Sequence, residues 1–568
     1  VSEIPIEPGA GRNGSAVGRT YQAGTAGGHS FFRTNTATEV AAYTCRATQV
    51  SQGTYDRVTN RTYITYTGGL DGTDPDGRPF TAENPTIMAF DHNSYTWEGP
   101  VQIYNVRGLP GAARDCHNYP QVLIDSTGHL HVFHTLHFSG INIQHFVSQK
   151  PHDISGPWVR KEIPATERNT YGAAFKNNSG HFYVFYRATI WRYVDPPPDA
   201  RGLWYEPEMY VKSIDEGQTW SVPHLLIDPG RPTASDGTEA ARVTSLINDG
   251  GWNTIYVADW AQDQARNRLL FDFTSTFEHG QQWGNRIIVY FDMGKDVVRA
   301  MTGKDFGPTI DRDEYLANEN EGIRVYTTRL VTKYMDRYGH GLSQSIVIED
   351  EVNGHPTVYY VKFESTNPEA GPDHVDYYRT GWDRLRRAQW NGRAWDDTYV
   401  GGTADPNADP FIQWDPLTQR RRETASIWDA EYRKDEGTFL YVKTRWGGTN
   451  FWLDGDGFRK PEFDWANCAW DYQYPGRIFN AKWGWGTSVR MFGDHHEWEV
   501  RGISNFTLIP GGHPSIRALM RMPKYTALTP TTGGASRGWL EQYAIGADYV
   551  WGERPPLVAS PAPGPEKE

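Results

Sequence analysis

A glycine or asparagine followed by alternating β-branched and aromatic residues recurs along this chain. It reads Gly128-His-Leu-His-Val-Phe-His134, and again Gly180-His-Phe-Tyr-Val-Phe-Tyr186. Weaker copies are Asn253-Thr-Ile-Tyr-Val-Ala258, Gly354-His-Pro-Thr-Val-Tyr-Tyr360 and Gly437-Thr-Phe-Leu-Tyr-Val442, with Asn60-Arg-Thr-Tyr-Ile-Thr-Tyr66 ahead of them. Period-two alternation after a turn residue is the signature of a strand entered from a tight turn. The spacing of the copies fits units of roughly 40–50 residues with insertions. Long helical periodicity is missing almost everywhere. The expected fold is all-β, and radial repetition of small sheets, a β-propeller, is the architecture that manages so many short strands and their edges.

One motif is specific to such units. Ser213-Ile-Asp-Glu-Gly-Gln-Thr-Trp220 reads Ser-x-Asp-x-Gly-x-Thr-Trp, the Asp box of sialidase-like propellers. Its logic is local. Asp215 and Ser213 satisfy turn amides, Gly217 takes a conformation other residues resist, and Trp220 plugs the sheet edge. The device is structural and carries no chemistry. Val222 and Leu225-Leu-Ile227 follow as the returning strand.

Composition excludes other classes. The chain has 568 residues, and its 56 basic against 69 acidic residues give a net charge of −13. That balance, without a basic block, argues against a nucleic-acid partner. Three cysteines, Cys45, Cys116 and Cys468, cannot staple so long a chain and lack zinc-finger spacing. No apolar run is long enough to span a bilayer. The N-terminus begins without Met and without a signal peptide, so a processed, secreted or periplasmic chain is expected. Residues 1–30 are expected to be an extension, 31–554 the propeller, and 555–568 a flexible tail.

The densest polar cluster lies between residues 114 and 192. It contains Arg114-Asp-Cys-His-Asn-Tyr-Pro-Gln121, the strand end His134-Thr-Leu-His137, Asn169-Thr-Tyr-Gly172 and Phe185-Tyr-Arg-Ala-Thr-Ile-Trp191. On a propeller such strand ends and loops converge near the axis. His117, His137, Tyr171 and Arg187 are the polar candidates. Their offsets place them on different strands.

This succession resembles the ulvan lyase β-propellers, which are polysaccharide lyases among the BNR-type propellers. The resemblance implies a propeller of about seven blades. Carried over by position, it implies that His117, His137, Tyr171 and Arg187 are catalytic. It also implies a further pocket tyrosine, for which Arg231-Pro-Thr233 is the expected neighbourhood. Two departures stand out: Tyr171 is followed by Gly-Ala, where Pro-Arg is expected, and the region after Asp292 has no match. Asn118, Tyr119, Arg192, Tyr205, Arg231 and Trp260 are the candidates to bind sugar, with Trp204 beside them. His129, His131, His134 and His181 are read as hydrogen-bonded core residues.

These residue types suit β-elimination from a uronate. The proton beside the carboxylate is weakly acidic, and its removal builds enolate charge that must be neutralised. A guanidinium does this with a planar fork. A tyrosinate or neutral histidine takes the proton, and an acid protonates the leaving oxygen. The expected assignment is Tyr171 as base and acid, Arg187 and His137 neutralising, and His117 assisting. The substrate is then an anionic polysaccharide, met by a monomer without a membrane or nucleic-acid partner. No cofactor is needed for the chemistry, although Asp71-Gly-Thr-Asp-Pro-Asp76 and Asp454-Gly-Asp456 admit a structural Ca²⁺. Asp494-His-His-Glu497 is read as surface, because neighbouring residues on a strand face opposite ways. A propeller glycoside hydrolase, rhamnosidase-like, is the alternative, but hydrolysis uses two carboxylates and only Asp115 lies in the cluster. A sugar-binding propeller without activity is the third reading.

Overall fold

A computed structural model describes residues 20–22, 30–33, 53–68, 84–94, 96–106, 120–136, 142–165, 168–191, 204–229, 252–276, 285–327, 344–364, 382–399, 413–415, 420–422, 425–433, 437–444, 447–453, 505–513, 516–524 and 539–545. His117, Asn118, Tyr119, His137, Arg192, Arg231, the three cysteines, the Asp494–Glu497 run, both acidic turns and the tail lie outside these residues.

The described residues form antiparallel meanders in chain order. Gly53–Asp56, Arg61–Gly68, Asn84–Asp91 and Thr96–Gln102 make one sheet; Gln121–Ile124, Leu130–His134, Ile143–Ser148 and Trp158–Ile163 make the next. Asn169–Lys176, Phe182–Ala188, Glu208–Ser213 and His224–Asp228 follow, then a sheet built on Trp252–Asp263, Arg268–Thr276 and Asn285–Asp292. Gln344–Asp350 opens another four-stranded sheet and Ala425–Arg433 a three-stranded one. The strands Asn505–His513, Ile516–Lys524 and Trp539–Ile545 are joined by Ser30–Arg33 from the other end of the chain, with Phe31 opposite Ile545. Chain order and packing make this a β-propeller.

The core lies between sheets. Val122, Val132 and Phe146 of the second sheet pack on Tyr63, Ile87 and Ala89 of the first. Phe133, Ile143 and Ile163 pack on Phe182, Val184 and Met209 of the third. Tyr183, Phe185 and Tyr210 meet Ile255, Val257 and Trp260, and Leu270 and Ile288 meet Ile346, Val358 and Tyr360. Polar clamps cross the same seams. Asp259 accepts from Ser345 Oγ at 2.8 Å and from the Ile346 N–H at 2.6 Å. Glu349 pairs with Arg387 at 2.7 Å and also accepts from Thr438 of the following sheet.

The glycine-led repeats fall where the alternation predicts. Gly128, Gly180 and Gly354 have φ of +89°, +84° and +72°, and each leads into the second strand of its sheet. One copy is out of phase. Asn253-Thr-Ile-Tyr-Val-Ala258 lies on the first strand of its sheet, Trp252–Asp263. The equivalent turn is at Asn267, φ +50°, before Arg268–Thr276. An asparagine there adopts the left-handed conformation that glycine supplies elsewhere.

The Asp box has the expected bonds. Asp215 Oδ1 accepts from the Gln218 and Thr219 N–H groups at 3.1 and 2.8 Å, and the Gly217 N–H donates to Ser213 Oγ at 2.7 Å. Burial alone would raise the Asp215 pKa, but its bonds from Thr219 bring it to about 2. Trp220 sits edge-on to Phe133 and His145 of the preceding sheet. Val222 is exposed, ahead of the strand rather than in it.

Connections sort by end. Those from first to second strand are short (57–60, 125–129, 177–181, 264–267, 351–354), as are several from third to fourth (92–95, 293–296, 391–394). In an antiparallel meander these turns share one end of the sheets. Most of the remaining connections are long, such as 69–83, 103–120, 189–207, 229–251 and 365–381, and they belong to the other end. Among the described residues no helix is long and apolar enough to cross a membrane, and no group of three or more His, Cys, Asp or Glu is arranged to hold a metal.

Three buried histidines tie stability to pH. His131 lies between Asp125 Oδ2, at 3.2 Å, and His145 Nε2, at 2.9 Å. His92 stacks on His513 with ring centroids 3.7 Å apart. Burial lowers all three from 6.5, His92 to about 3 and His145 well below its ordinary value. The folded protein therefore holds them neutral while the unfolded chain takes up protons. Stability is full above about pH 6.5 and falls as pH drops from there toward 3. The melting temperature should decline over that window, and His145→Gln should make the decline shallower.

Candidate active site

The site forms at the long-connection end, on the sheet that begins at Asn169. In the register of its first two strands, Thr170 faces Arg187 and Ala173 faces Phe185. Tyr171 and Gly172 thus bulge opposite the single residue Tyr186. Tyr171 has φ +54°, a left-handed conformation that costs a non-glycine residue about 1 kcal/mol or more. The preceding sheet holds the bulge in place. The Gln121 side chain donates to the Gly172 carbonyl and accepts from the Ala174 N–H. Thr135 Oγ1 accepts from the Gly172 N–H at 3.4 Å. A Cβ at Gly172 would stand 2.8 Å from Thr135 Cγ2. The Tyr-Gly sequence, a departure from the pattern expected there, is what lets the two sheets close at this point.

Tyr171 is thereby laid against Arg187. The guanidinium carbon lies 4.6 Å from the Tyr171 ring centroid and 4.4 Å from that of Tyr256, so the cation is held by two aromatic rings. Tyr256 comes from Trp252–Asp263 of the next sheet. Arg187 is 3% exposed. Its Nη1 lies 3.5 Å from Glu206 Oε2, and Glu206 Oε1 accepts from Thr189 Oγ1 at 2.9 Å. Burial alone would weaken its hold on a proton; Glu206 first, then Tyr256 and Tyr171, raise its pKa above the ordinary arginine value. Glu208, opposite Arg187 in the register with the third strand, is also buried. Burial pushes the Glu208 carboxyl well above the carboxylate range, with Arg187 opposing. One cation therefore stands between two buried glutamates, with Glu206 the one at ion-pair distance.

Of the residues singled out in the sequence, the structure brings Tyr171 and Arg187 into contact. Tyr205 lies on the short strand Trp204–Glu206, half-buried, with its hydroxyl on Asp228 at 2.6 Å. Trp260 sits in the aromatic core against Phe175, Phe185 and Phe271, a packing position. His131 and His134 are fully buried on the strand Leu130–His134. The neighbourhood of Arg231 lies outside the described residues; a tyrosine not singled out in the sequence, Tyr256, stands beside Arg187. Its signal was the alternation itself: Ile255 and Val257 enter the core, which turns Tyr256 the other way. Glu206 and Glu208 were also missed, although two glutamates flanking Pro207 ahead of the apolar run Met209-Tyr-Val211 are unusual for a buried strand.

Residues 61–400 match the family model described as BNR repeat-containing family member. The chain belongs to the BNR repeat-containing family. Two curated relatives are similar to part of this BNR repeat protein. An ulvan lyase named PL25, from Pseudoalteromonas sp. (strain PLSV), is 27% identical over 196 residues, 32% of this chain and 34% of the relative. An ulvan lyase from Alteromonas sp. (strain LOR) is 26% identical over 197 residues, 32% of this chain and 35% of the relative. The alignments thus span about a third of the length of each curated relative. A solved PL25 ulvan lyase bound to -[GlcA(1-4)Rha3S]- superposes with a TM-score of 0.53 at 14% identity, over 89% of this chain and 95% of that one. At that identity the likeness is one of fold.

The bulge makes a direct test. Gly172→Ala should lower stability by about 1–3 kcal/mol through the clash with Thr135. Adding Thr135→Ser removes the Cγ2 that clashes and should recover most of the loss. Chemical denaturation of the single and double variants reads both values.

Proposed function

We propose that this BNR repeat protein is a polysaccharide lyase that cleaves an ulvan-like, uronate-containing polymer by β-elimination. The observation that carries the reading is the buried Arg187 guanidinium held between the rings of Tyr171 and Tyr256. A cation fixed in a low-dielectric pocket stabilises enolate charge with little reorganisation. It also favours a tyrosinate over a tyrosine beside it. Tyr171 then takes the proton next to the uronate carboxylate. The electron pair forms the ring double bond, the glycosidic carbon–oxygen bond breaks, and the leaving oxygen takes a proton from Tyr171 or His117. His137 joins Arg187 on the carboxylate. Asn118, Tyr119, Arg192 and Arg231 remain the proposed sugar contacts. The two ulvan lyases similar to a third of the chain support the same substrate class. A polymer substrate also supports a secreted or periplasmic location. The reaction as read needs no metal.

The test is ultraviolet absorbance of the unsaturated uronate product, on a panel of ulvan, glucuronans and gum-type polymers. A rise on ulvan supports the reading. New reducing ends without absorbance would mean hydrolysis and overturn it. Tyr171→Phe should reduce turnover by at least about a hundredfold, as expected for loss of a general base, with the melting temperature nearly unchanged. Retained turnover would remove Tyr171 from its role.

A further inference from the structure

The groups packed on Arg187 set a charge problem. Tyr171 faces it from Asn169–Lys176, Tyr256 from Trp252–Asp263, Glu206 from Trp204–Glu206 and Glu208 from Glu208–Ser213. The carboxyl at ion-pair distance from the guanidinium is that of Glu206, while burial raises the pKa of Glu208 and Arg187 opposes it. Glu206 is the group that balances the cation. It does so loosely. The closest approach is 3.5 Å, and Arg187 Nε and Nη1 are buried with no hydrogen-bond partner among the described residues. A bidentate ion pair would have spent those donors. This one supplies charge and leaves them unspent. Thr189 holds the other oxygen of Glu206. The strand carrying Glu206 pairs in parallel with the strand of Tyr256, Glu206 opposite Thr254.

We propose that Glu206 is a positioning residue that stands in for the substrate carboxylate, balancing Arg187 in the resting pocket and yielding the guanidinium's unspent donors to an arriving uronate. The inference rests on the lyase reading and deepens it, because it states what holds a buried arginine ready for an anion before the anion comes. A carboxylate that balances Arg187 competes with the substrate for it. Removing the competing charge should tighten ground-state binding.

Two measurements test this. In Glu206→Gln the side chain keeps its size and its acceptor for Thr189 but loses its charge. KM for the polymer should fall about tenfold, with kcat unchanged or lower. An unchanged or higher KM overturns the proposal. The second measurement does not depend on activity. Glu206→Gln leaves a buried cation uncompensated. A small carboxylate taken up by the guanidinium's unspent donors would restore the balance, so acetate should raise its melting temperature above that in chloride at equal ionic strength. The wild-type protein and the double variant Arg187→Gln/Glu206→Gln should show no such acetate-specific rise. Its absence in Glu206→Gln overturns the proposal. If Glu206→Gln does not fold in chloride, refolding in acetate supports the proposal and failure in both salts sinks it. A wild-type protein inactive on every uronate polymer would remove the lyase reading, while the acetate result still decides the role of Glu206.

Discussion

A small twisted sheet buries neither face by itself. Every other feature of this molecule follows from how that is solved. Each sheet lends one face to its predecessor and one to its successor, as when Phe133 and Phe182 share one seam and Phe185 and Trp260 the next. The apolar seams account for most of the burial. The polar clamps across them, Asp259 on Ser345 and Glu349 on Thr438, fix how one sheet sits on the next. A buried carboxylate with several donors is costly to misalign, so such clamps narrow the acceptable packings.

That arrangement also separates construction from chemistry. The short turns rich in Asp, Asn and Gly lie at one end of the sheets, where they close hairpins and interlock, as Glu216 does with Lys176 at 2.7 Å and with the Ser126 N–H at 3.0 Å. The long connections lie at the other end. Tyr171 and Arg187 stand there, on the strands rather than the loops. A cation and its rings are thereby set by sheet register, which holds position more tightly than a loop does. The strained backbone of Tyr171 is a cost met by Gln121 and Thr135 of the neighbouring sheet.

Much of the fold was legible because strands repeat a simple period. Four glycine-led runs and the one led by Asn60 marked the second strand of five sheets, and the Asp box marked its own turn in full. The misphased copy at Asn253 shows the limit: a period of two says that a segment is a strand, not which strand of its sheet. In the site, Tyr171 and Arg187 were legible as a resemblance, and their contact was then found in the geometry. Tyr256, Glu206 and Glu208 were not, because each meets Arg187 across a sheet boundary or after a long connection. Local patterns do not encode such meetings. The sequence offered only a polar residue where an apolar one would pack. Trp260 was misjudged for the opposite reason, since a tryptophan serves equally in a seam and in a sugar cleft.

The sheet that pairs Ser30–Arg33 with Trp539–Ile545 has a consequence for how the chain is made. Ser30–Arg33 can pair with Thr20–Gln22 as soon as both emerge, but during synthesis its other edge waits for the distant strand Trp539–Ile545. The early sheets can stack as they appear, but the ring stays open, with an unpaired strand edge at each side of the gap. Closure is then a late, long-range event with a large loop to fix. Until it happens, both edges are open to the wrong neighbour.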